Sequence, residues 1–130
     1  MTDQGASGAL VGAVMAALRE VDGLSGVADG VPIQAGDAHA VVEAGPETDW
    51  GHKSGAGAEL RFAVLIRCGG ESPGRARELA ERARQAVAGA APSANGWRLV
   101  SLVMLRSRLV RLAGPGWTAA TDYRARMLKE

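Results

Sequence analysis

The sequence is poor in several residue types, and each scarcity argues against a class of protein. Cys68 is the only cysteine among 130 residues, so no intrachain disulfide can form, which fits a reducing cytoplasm. No run of 18 apolar residues occurs, which argues against a membrane span. Only three Trp, one Tyr and one Phe are present. Asp3 stands where an export signal needs basic residues, and we therefore interpret the N-terminal segment as part of the mature protein.

The length and composition are those of one folded domain. The chain is 47% hydrophobic with a formal net charge of +1, which argues against intrinsic disorder. We expect a single domain over residues 1–130, with a flexible N-terminus at 1–8. Thirteen Arg stand against two Lys, and with the abundant Ala and Gly this suggests a GC-rich bacterial source.

The charges are unevenly distributed along the chain. Residues 1–57 carry eight acids and two bases, whereas residues 91–130 carry seven bases and two acids. Such a chain can associate head to tail with itself, or one face can meet a charged partner. The alternative is that the acidic and basic residues simply lie on different solvated faces of the fold.

The first half predicts a helix, a loop and two strands. Apolar residues recur at helical spacing from Leu10 to Val21, and four glycines and a proline in 22–36 predict a loop. The alternation in 39–44 predicts a short strand. The polar, glycine-rich segment 45–57 predicts either a long mobile loop or the tip of a large hairpin. The clearest strand follows, with one apolar face formed by Leu60, Phe62, Val64, Ile66 and Cys68.

The second half predicts a helix and two more strands. Ser72 is the expected N-cap, with Pro73 at the first helical position, and the apolar stripe of this helix consists of Ala76, Leu79, Ala80, Ala83 and Val87. Residues 97–112 alternate imperfectly, which predicts a bulge or a strand buried on both faces. Residues 117–127 alternate cleanly after a Gly-Pro-Gly turn. The predicted class is α+β, a mostly antiparallel four-stranded sheet packed with two helices.

No catalytic, cofactor or metal site is predicted. Asp49, His52 and Ser54 supply the residue types of a hydrolytic triad, but they lie on one glycine-flanked loop without a nucleophile elbow. Lys53 lacks the glycine before it that a phosphate-binding loop needs. His39 and His52 have no metal-ligand spacing, and Cys68 is expected to be a buried apolar residue.

The arginines of the last two strands are the remaining candidates. They form a possible basic patch that could contact nucleic-acid phosphates. Few aromatic residues lie between them, so base stacking is poorly supported. Salt links between subunits are the favoured use, because the first half of the chain is acidic.

Three segments together resemble a known family: DWGHKSGAGAELRFAVLIRCGGESPGRARELAERARQAV, WRLVSLVMLRSRLVRL and WTAATDYRARM. The sequence resembles the tail completion, or tail terminator, proteins of long-tailed phages, and most of all the version encoded in gene transfer agents of alphaproteobacteria. The resemblance covers about residues 8–128 and leaves residues 1–8 outside it.

The resemblance implies a structural protein without a cofactor. It implies a hexameric ring that caps the head-proximal end of the tail tube, stops tube polymerisation and joins the tail to a neck, stopper or adaptor protein. Double-stranded DNA would pass through the lumen without sequence-specific binding. The implied location is the bacterial cytoplasm during assembly and then the neck and tail of the particle, with no membrane contact. The alternatives are a head-completion or stopper connector and, in another class, a small enzyme or nucleic-acid-binding module.

The candidate assembly residues come from the long loop and the basic strands. Trp50 is the expected apolar anchor for a partner pocket, because buried Trp is enriched at the centres of interfaces. Asp37, Glu43, Glu47 and Asp49 are candidate partners of the arginines or candidate lining residues of the lumen. The candidate interface consists of Asp49, Trp50, His52, Lys53, Arg106, Arg108, Arg111, Arg124 and Arg126.

Overall fold

The computed structural model describes residues 5–30, 38–70 and 72–130 and contains two helices and six strands there. The helices are α1 (Ala6–Leu18) and α2 (Gly74–Ala88). The strands are β1 (Val27–Asp29), β2 (Ala38–Asp49), β3 (Gly57–Cys68), β4 (Ser93–Ala94), β5 (Trp97–Arg111) and β6 (Trp117–Lys129). The class is α+β, as predicted.

All six strands form one sheet in the order β1-β2-β3-β6-β5-β4. The long strands β2, β3, β6 and β5 pair antiparallel with their neighbours, and β1 alone pairs parallel, with β2. The long connection through α2 carries the chain from β3 across the sheet to β5, so that β6 lies between them. The two long strands β2 and β5 therefore lie towards opposite edges of the sheet.

The core lies between the two helices and one face of the sheet. The predicted apolar face of β3 is buried throughout, and so is the predicted stripe of α2. In α1, the side chains of Leu10, Val14 and Leu18 are buried as predicted. Phe62 and Tyr123 are paired across β3 and β6, and their rings stack with centroids 5.0 Å apart. Burial of each such side chain contributes about 1.5–3 kcal/mol, so these stripes position both helices.

The prediction of four strands was wrong, because the sheet has six. β1 lies inside the segment 22–36 that we expected to be a loop. It has three residues, and it forms only because β2 offers a parallel partner. β4 has two residues and joins β5 through a tight turn in which Asn95 and Gly96 have φ of +51° and +81°. Asn-Gly is a strong hairpin signal that our sequence interpretation did not use.

The segment 45–57 is the end of a large hairpin, one of the two predicted alternatives. β2 continues to Asp49, five residues beyond the predicted strand, and Thr48 pairs with Glu59 of β3. Pro46 is accommodated because the register of β2 shifts between Ala44 and Glu47, and a bulge near a sheet edge tolerates a residue without an N–H group. The part outside the strands is therefore only residues 50–56, and backbone bonds from Trp50 to Gly57 and between His52 and Gly55 hold it.

In β5 the predicted bulge was right and the predicted burial on both faces was wrong. The register shifts twice, between Leu99 and Ser101 and between Met104 and Arg106. Yet no residue of the strand is fully buried, since β5 extends beyond the area that the helices cover. An apolar run does not by itself reveal how much of a strand a neighbouring layer covers.

The helix ends differ slightly from the predictions. α2 begins one residue later than expected, with Pro73 as the N-cap, while Oγ of Ser72 accepts a hydrogen bond from the N–H of Gly74 at 3.3 Å. α1 begins at Ala6 and so includes part of the segment expected to be flexible. Neither helix among the described residues has the length and hydrophobicity to cross a membrane.

Candidate functional site

The tip of the β2–β3 hairpin is a tight turn centred on Lys53 and Ser54. His52 and Gly55 exchange two backbone hydrogen bonds, with the N–H of His52 2.9 Å from the carbonyl of Gly55 and the reverse pair at 3.1 Å. The side chains of His52 and Lys53 are exposed. The turn therefore presents one imidazole and one ammonium group at the end of the hairpin.

Asp49, His52 and Ser54 do not assemble into a catalytic triad. Oγ of Ser54 lies 3.0 Å from Nδ1 of His52, on exposed side chains. The carboxylate of Asp49 instead accepts the N–H of Gly51 at 2.9 Å, so it does not orient the imidazole. A hydrolytic site needs the acid, base and nucleophile in one hydrogen-bonded chain. The geometry here is that of a stabilised turn.

Trp50 and Arg126 come together beside the hairpin tip. The guanidinium of Arg126 lies over the Trp50 ring, 5.4 Å from its centroid, within cation–π range. Nε of Arg126 also donates to Glu59 at 2.9 Å, and Nε of Arg124 lies 4.0 Å from the same carboxylate oxygen. The expected partner anchor is thus half covered by its own chain, and one acid holds two of the candidate arginines.

The candidate arginines of β5 have three different environments. Nε of Arg106 donates to Asp122 of β6 at 2.9 Å, on a largely exposed pair. Arg111 lies over the ring of Trp117 at 6.0 Å. Arg108 is exposed and, among the residues that the structure describes, has no carboxylate within salt-bridge distance. Exposed ion pairs contribute about 0–1 kcal/mol each, so this surface owes little of its stability to charge.

The structure therefore separates the candidate residues into two groups. Asp49, Trp50, His52, Lys53, Arg124 and Arg126 lie at or near the hairpin end of the sheet. Arg106, Arg108 and Arg111 follow β5 towards the opposite end, where Arg111 pairs with Trp117. Trp117 and Arg126 are nine positions apart on β6, which is about 30 Å at the rise of a strand. One small patch does not contain both groups.

The sequence interpretation missed an exposed apolar surface on β5. In the described part of the chain, every exposed large hydrophobic side chain lies between residues 100 and 112, with exposed fractions of 38–50%. We call this set the β5 surface; it consists of Val100, Val103, Met104, Leu105, Val110 and Leu112. The signal was present as the imperfect alternation of residues 97–112, which we attributed partly to burial. A run of exposed large apolar side chains of this kind is typical of an interaction site.

A second feature is an acidic edge on β2. Residues 43–49 carry Glu43, Glu47 and Asp49 and no basic residue. The side chains of Glu43 and Glu47 are exposed and form no ion pair within the described ranges. We call residues 43–49 the acidic arm. Asp37, the fourth candidate acid, lies outside the described residues.

An open groove of about 550 Å³ connects these two features. It runs from Gly45 and Pro46 at the β2 bulge, past Arg61 of β3, to Leu105 and Arg106 at the β5 bulge. A side chain at position 45 would come within 2.9 Å of the Arg61 carbonyl, so the bulge requires glycine there. The walls carry both charge signs, and nothing in them resembles a preorganised catalytic pocket.

The remaining titratable candidates, His39 and Cys68, lie in surroundings that indicate a structural role. Both ring nitrogens of His39 are buried without a hydrogen-bond partner, and burial, together with the positive charge of Arg67, lowers the pKa of His39 below its ordinary value. Cys68 is buried in the core. Within residues 5–30, 38–70 and 72–130, no three His, Cys, Asp or Glu side chains are placed to hold a metal ion.

Comparisons with known proteins agree with the resemblance seen in the sequence. A family model described as "Tail completion protein gp17" matches residues 8–128. Among solved structures, the chain is similar to a chain of a "Virion of native gene transfer agent (GTA) particle", with 30% sequence identity and a TM-score of 0.66. That match covers 96% of this chain and 99% of the other. A search of curated proteins gave no match.

Proposed function

The chain belongs to the tail completion protein gp17 family, with a structural role in a phage-type tail, and from this premise we propose that it is a tail terminator. Six copies form a ring on the head-proximal end of a tail tube. The ring stops tube polymerisation and provides the surface to which the neck binds. DNA passes through the lumen during packaging or delivery.

The observation that carries this proposal is the extent of the two matches. The family model spans residues 8–128, and the gene transfer agent chain is covered over 99% of its length. The similarity therefore involves the whole domain, including both helices and every long strand. A shared small motif would carry much less weight, because one fold supports many functions.

The surface chemistry supports a subunit of an assembly. A long strand with exposed apolar side chains is a liability in an isolated molecule, and natural proteins usually cover such a strand. The acidic arm and the arginines of β5 lie towards opposite edges of one sheet. Identical subunits close into a ring when each offers two different, complementary surfaces. The proposed role uses no catalytic group, and assembly would take place in the bacterial cytoplasm.

Light scattering and electron microscopy of the purified chain test the ring. We expect a particle with the mass of six 13.4 kDa subunits and a central hole as wide as a tail tube. A chain that stays monomeric at all accessible concentrations, or that forms filaments without closure, would refute the proposed ring.

Co-purification separates a terminator from a head-completion or stopper connector. The tagged chain is expressed either with the tail-tube protein or with the portal-side neck proteins of the same particle. A terminator binds the end of assembled tube and stops its further growth. Exclusive binding to the portal-side proteins would reassign the chain to the connector class.

A further inference from the structure

The free edge of β5 is the clearest surface that the isolated subunit leaves without a pairing strand. β6 pairs with β5 over its whole length on one side. On the other side, β4 covers only Trp97 and Arg98, and the N–H of Leu99 is satisfied by the carbonyl of Pro92. From Val100 to Val110, the outward side of the strand has no pairing partner in the described part of the chain. An open strand edge of this length, with exposed apolar side chains, is a template for association.

The acidic arm forms the opposite free edge. β1 pairs with β2 only at Ala40, Val41 and Val42. Beyond that point, residues 43–49 pair with β3 on one side and with no described strand on the other. The same sheet thus has one open edge with three acids and no base, and another, Val100 to Val110 of β5, with two arginines and no acid.

Both open edges lie at the same height of the sheet. Ala44 of the arm is level with Met104 of β5, through the cross-strand pairs that Phe62 and Tyr123 make. By the same path Glu47 is level with Leu102. A second copy placed beside the first without a shift along the strands therefore brings its arm opposite the exposed apolar part of β5. Arg98 and Arg108 flank that part on either side.

The strand directions also match. Four long strands alternate in direction from β2 to β5, so β2 and β5 run antiparallel to each other. An identical copy in the same orientation then presents its β2 antiparallel to β5, which is the more favourable arrangement. Pro46 has no N–H group and interrupts any backbone ladder, so side chains must make much of the contact, with Ala44 and Pro46 against Val103 and Leu105.

We propose, resting on the ring of the proposed function, that the β5 surface of each subunit binds the acidic arm of the next subunit. In that register Glu43 is level with Arg106 of the neighbour and two positions from Arg108, and the arm covers the exposed apolar side chains. The contact is heterologous, so its repetition closes a ring. The competing arrangement pairs β5 with β5 about a twofold axis. It would bring like-charged arginines together and give a closed dimer.

A charge-swap cycle tests this contact. The arm variant is Glu43→Arg, the strand variant is Arg108→Glu, and the swap combines both changes. We expect each single variant to raise the concentration at which the ring half-dissociates by at least about tenfold, and the swap to restore it to within about threefold of wild type. Mass is measured by light scattering over a dilution series, and circular dichroism checks folding.

Charge changes at two positions outside the proposed contact serve as controls. Arg19→Glu and Glu20→Arg make the same charge changes at exposed positions after α1 and should leave the assembly unchanged. If wild type forms a ring but either single variant assembles normally, or the swap fails to recover, the contact is wrong while the ring stands. A dimer that the strand variant tightens favours the twofold arrangement. A monomeric wild type overturns the ring and this contact together.

A second variant tests the apolar part of the same contact. Leu105 lies on the β5 bulge with an exposed fraction of 39%, so its replacement costs the isolated subunit little. Leu105→Ser should weaken assembly by about tenfold or more, because burial of a leucine side chain is lost. Unchanged assembly of a folded Leu105→Ser protein would contradict the covering of the β5 surface.

Discussion

Single glycines decide whether the β2–β3 hairpin can close. Gly57 is the first residue of β3 and is buried. An added Cβ there would lie 2.6 Å from the carbonyl oxygen of Trp50 and 2.9 Å from Cδ2 of Leu128. The backbone oxygen cannot move without breaking the pairing of Trp50 with Gly57, whose N–O distance is 3.0 Å. The hairpin tip is therefore held by a close backbone approach that only glycine permits.

Gly57→Ala should destabilise the fold, whereas Gly55→Ala should not. We expect a loss of about 2 kcal/mol in the free energy of unfolding for the first, the usual range for a forced clash in a packed site. At Gly55 the nearest atom is 4.0 Å away, which makes it the matched control. Urea unfolding of the two variants measures the difference, and equal midpoints would show that the clash is relieved at no cost.

His39 makes the stability of the fold depend on pH. Its folded pKa is lowered by burial and by Arg67, so below about pH 6.5 the unfolded chain binds a proton that the folded chain does not. The free energy of unfolding should therefore fall as pH falls from about 7 through the folded pKa. His39→Leu should remove this part of the dependence, and Arg67→Gln should reduce it by removing the repulsion.

Urea unfolding between pH 7.5 and 5 measures the effect, with the imidazole titration followed by NMR. The carboxylates contribute equally to wild type and variant, so the difference between their curves isolates His39. A wild-type curve parallel to that of His39→Leu across this range would contradict the assignment.

At the scale of elements, the hairpin and β5 differ in what they offer a partner. The strand pairing of the β2–β3 hairpin ends at Asp49 and Ala58, and the seven residues 50–56 form a tip held by backbone bonds of its own. β5 is paired along one side and open on the other. The tip is thus a small polar end with a half-covered Trp, and the strand is a long apolar edge with arginines.

The hairpin tip should lose protease sensitivity on assembly. The chain has only two lysines, Lys53 at the centre of the exposed turn and Lys129 next to the C-terminus. A lysine-specific protease should cut after Lys53 in dilute subunits, and more slowly in the ring if a neighbour orders or covers the tip. The fragments are followed by mass spectrometry. Equal cleavage rates after Lys53 in dilute and assembled protein would contradict this role of the tip.

At the scale of the whole molecule, the charge distribution bears on how the proposed ring would meet DNA. Salt links are the use that the sequence favours for these arginines, and in the described part of one subunit three of the six in 98–126 have an acidic neighbour. Arg106 pairs with Asp122, while Arg124 and Arg126 share Glu59. Arg111 covers Trp117. Arg98 and Arg108 have no carboxylate partner in the described part of the subunit, and the proposed neighbour would supply one to Arg108.

The assembled ring should bind duplex DNA weakly. Firm arginine–phosphate contacts would slow a translocating polyanion and add salt-dependent affinity. We expect a dissociation constant of about 10⁻⁴ M or weaker at physiological salt, measured by fluorescence anisotropy on a labelled duplex. Submicromolar binding with a steep salt dependence would instead favour a nucleic-acid-binding role.

Local patterns in the sequence determined the elements and the faces they bury. The period of two in residues 60–68 determined which side of β3 is buried, and the helical spacing from Ala76 to Val87 did the same for α2. These signals are reliable because each depends on burial against one neighbouring layer. The family also followed from the sequence, through the order of these elements over residues 8–128.

Only the tertiary structure decided which strands are neighbours and which edges stay open. β1 and β4 are too short to be recognised without the partners that form them, and β2 continues past Pro46 because a bulge removes the need for its N–H. The exposure of the β5 surface, and its position level with the acidic arm, result from a strand order that places β6 between β3 and β5. Pairing across the sheet is non-local. The sequence of one strand therefore carries little information about which layer covers it or what lies beside it.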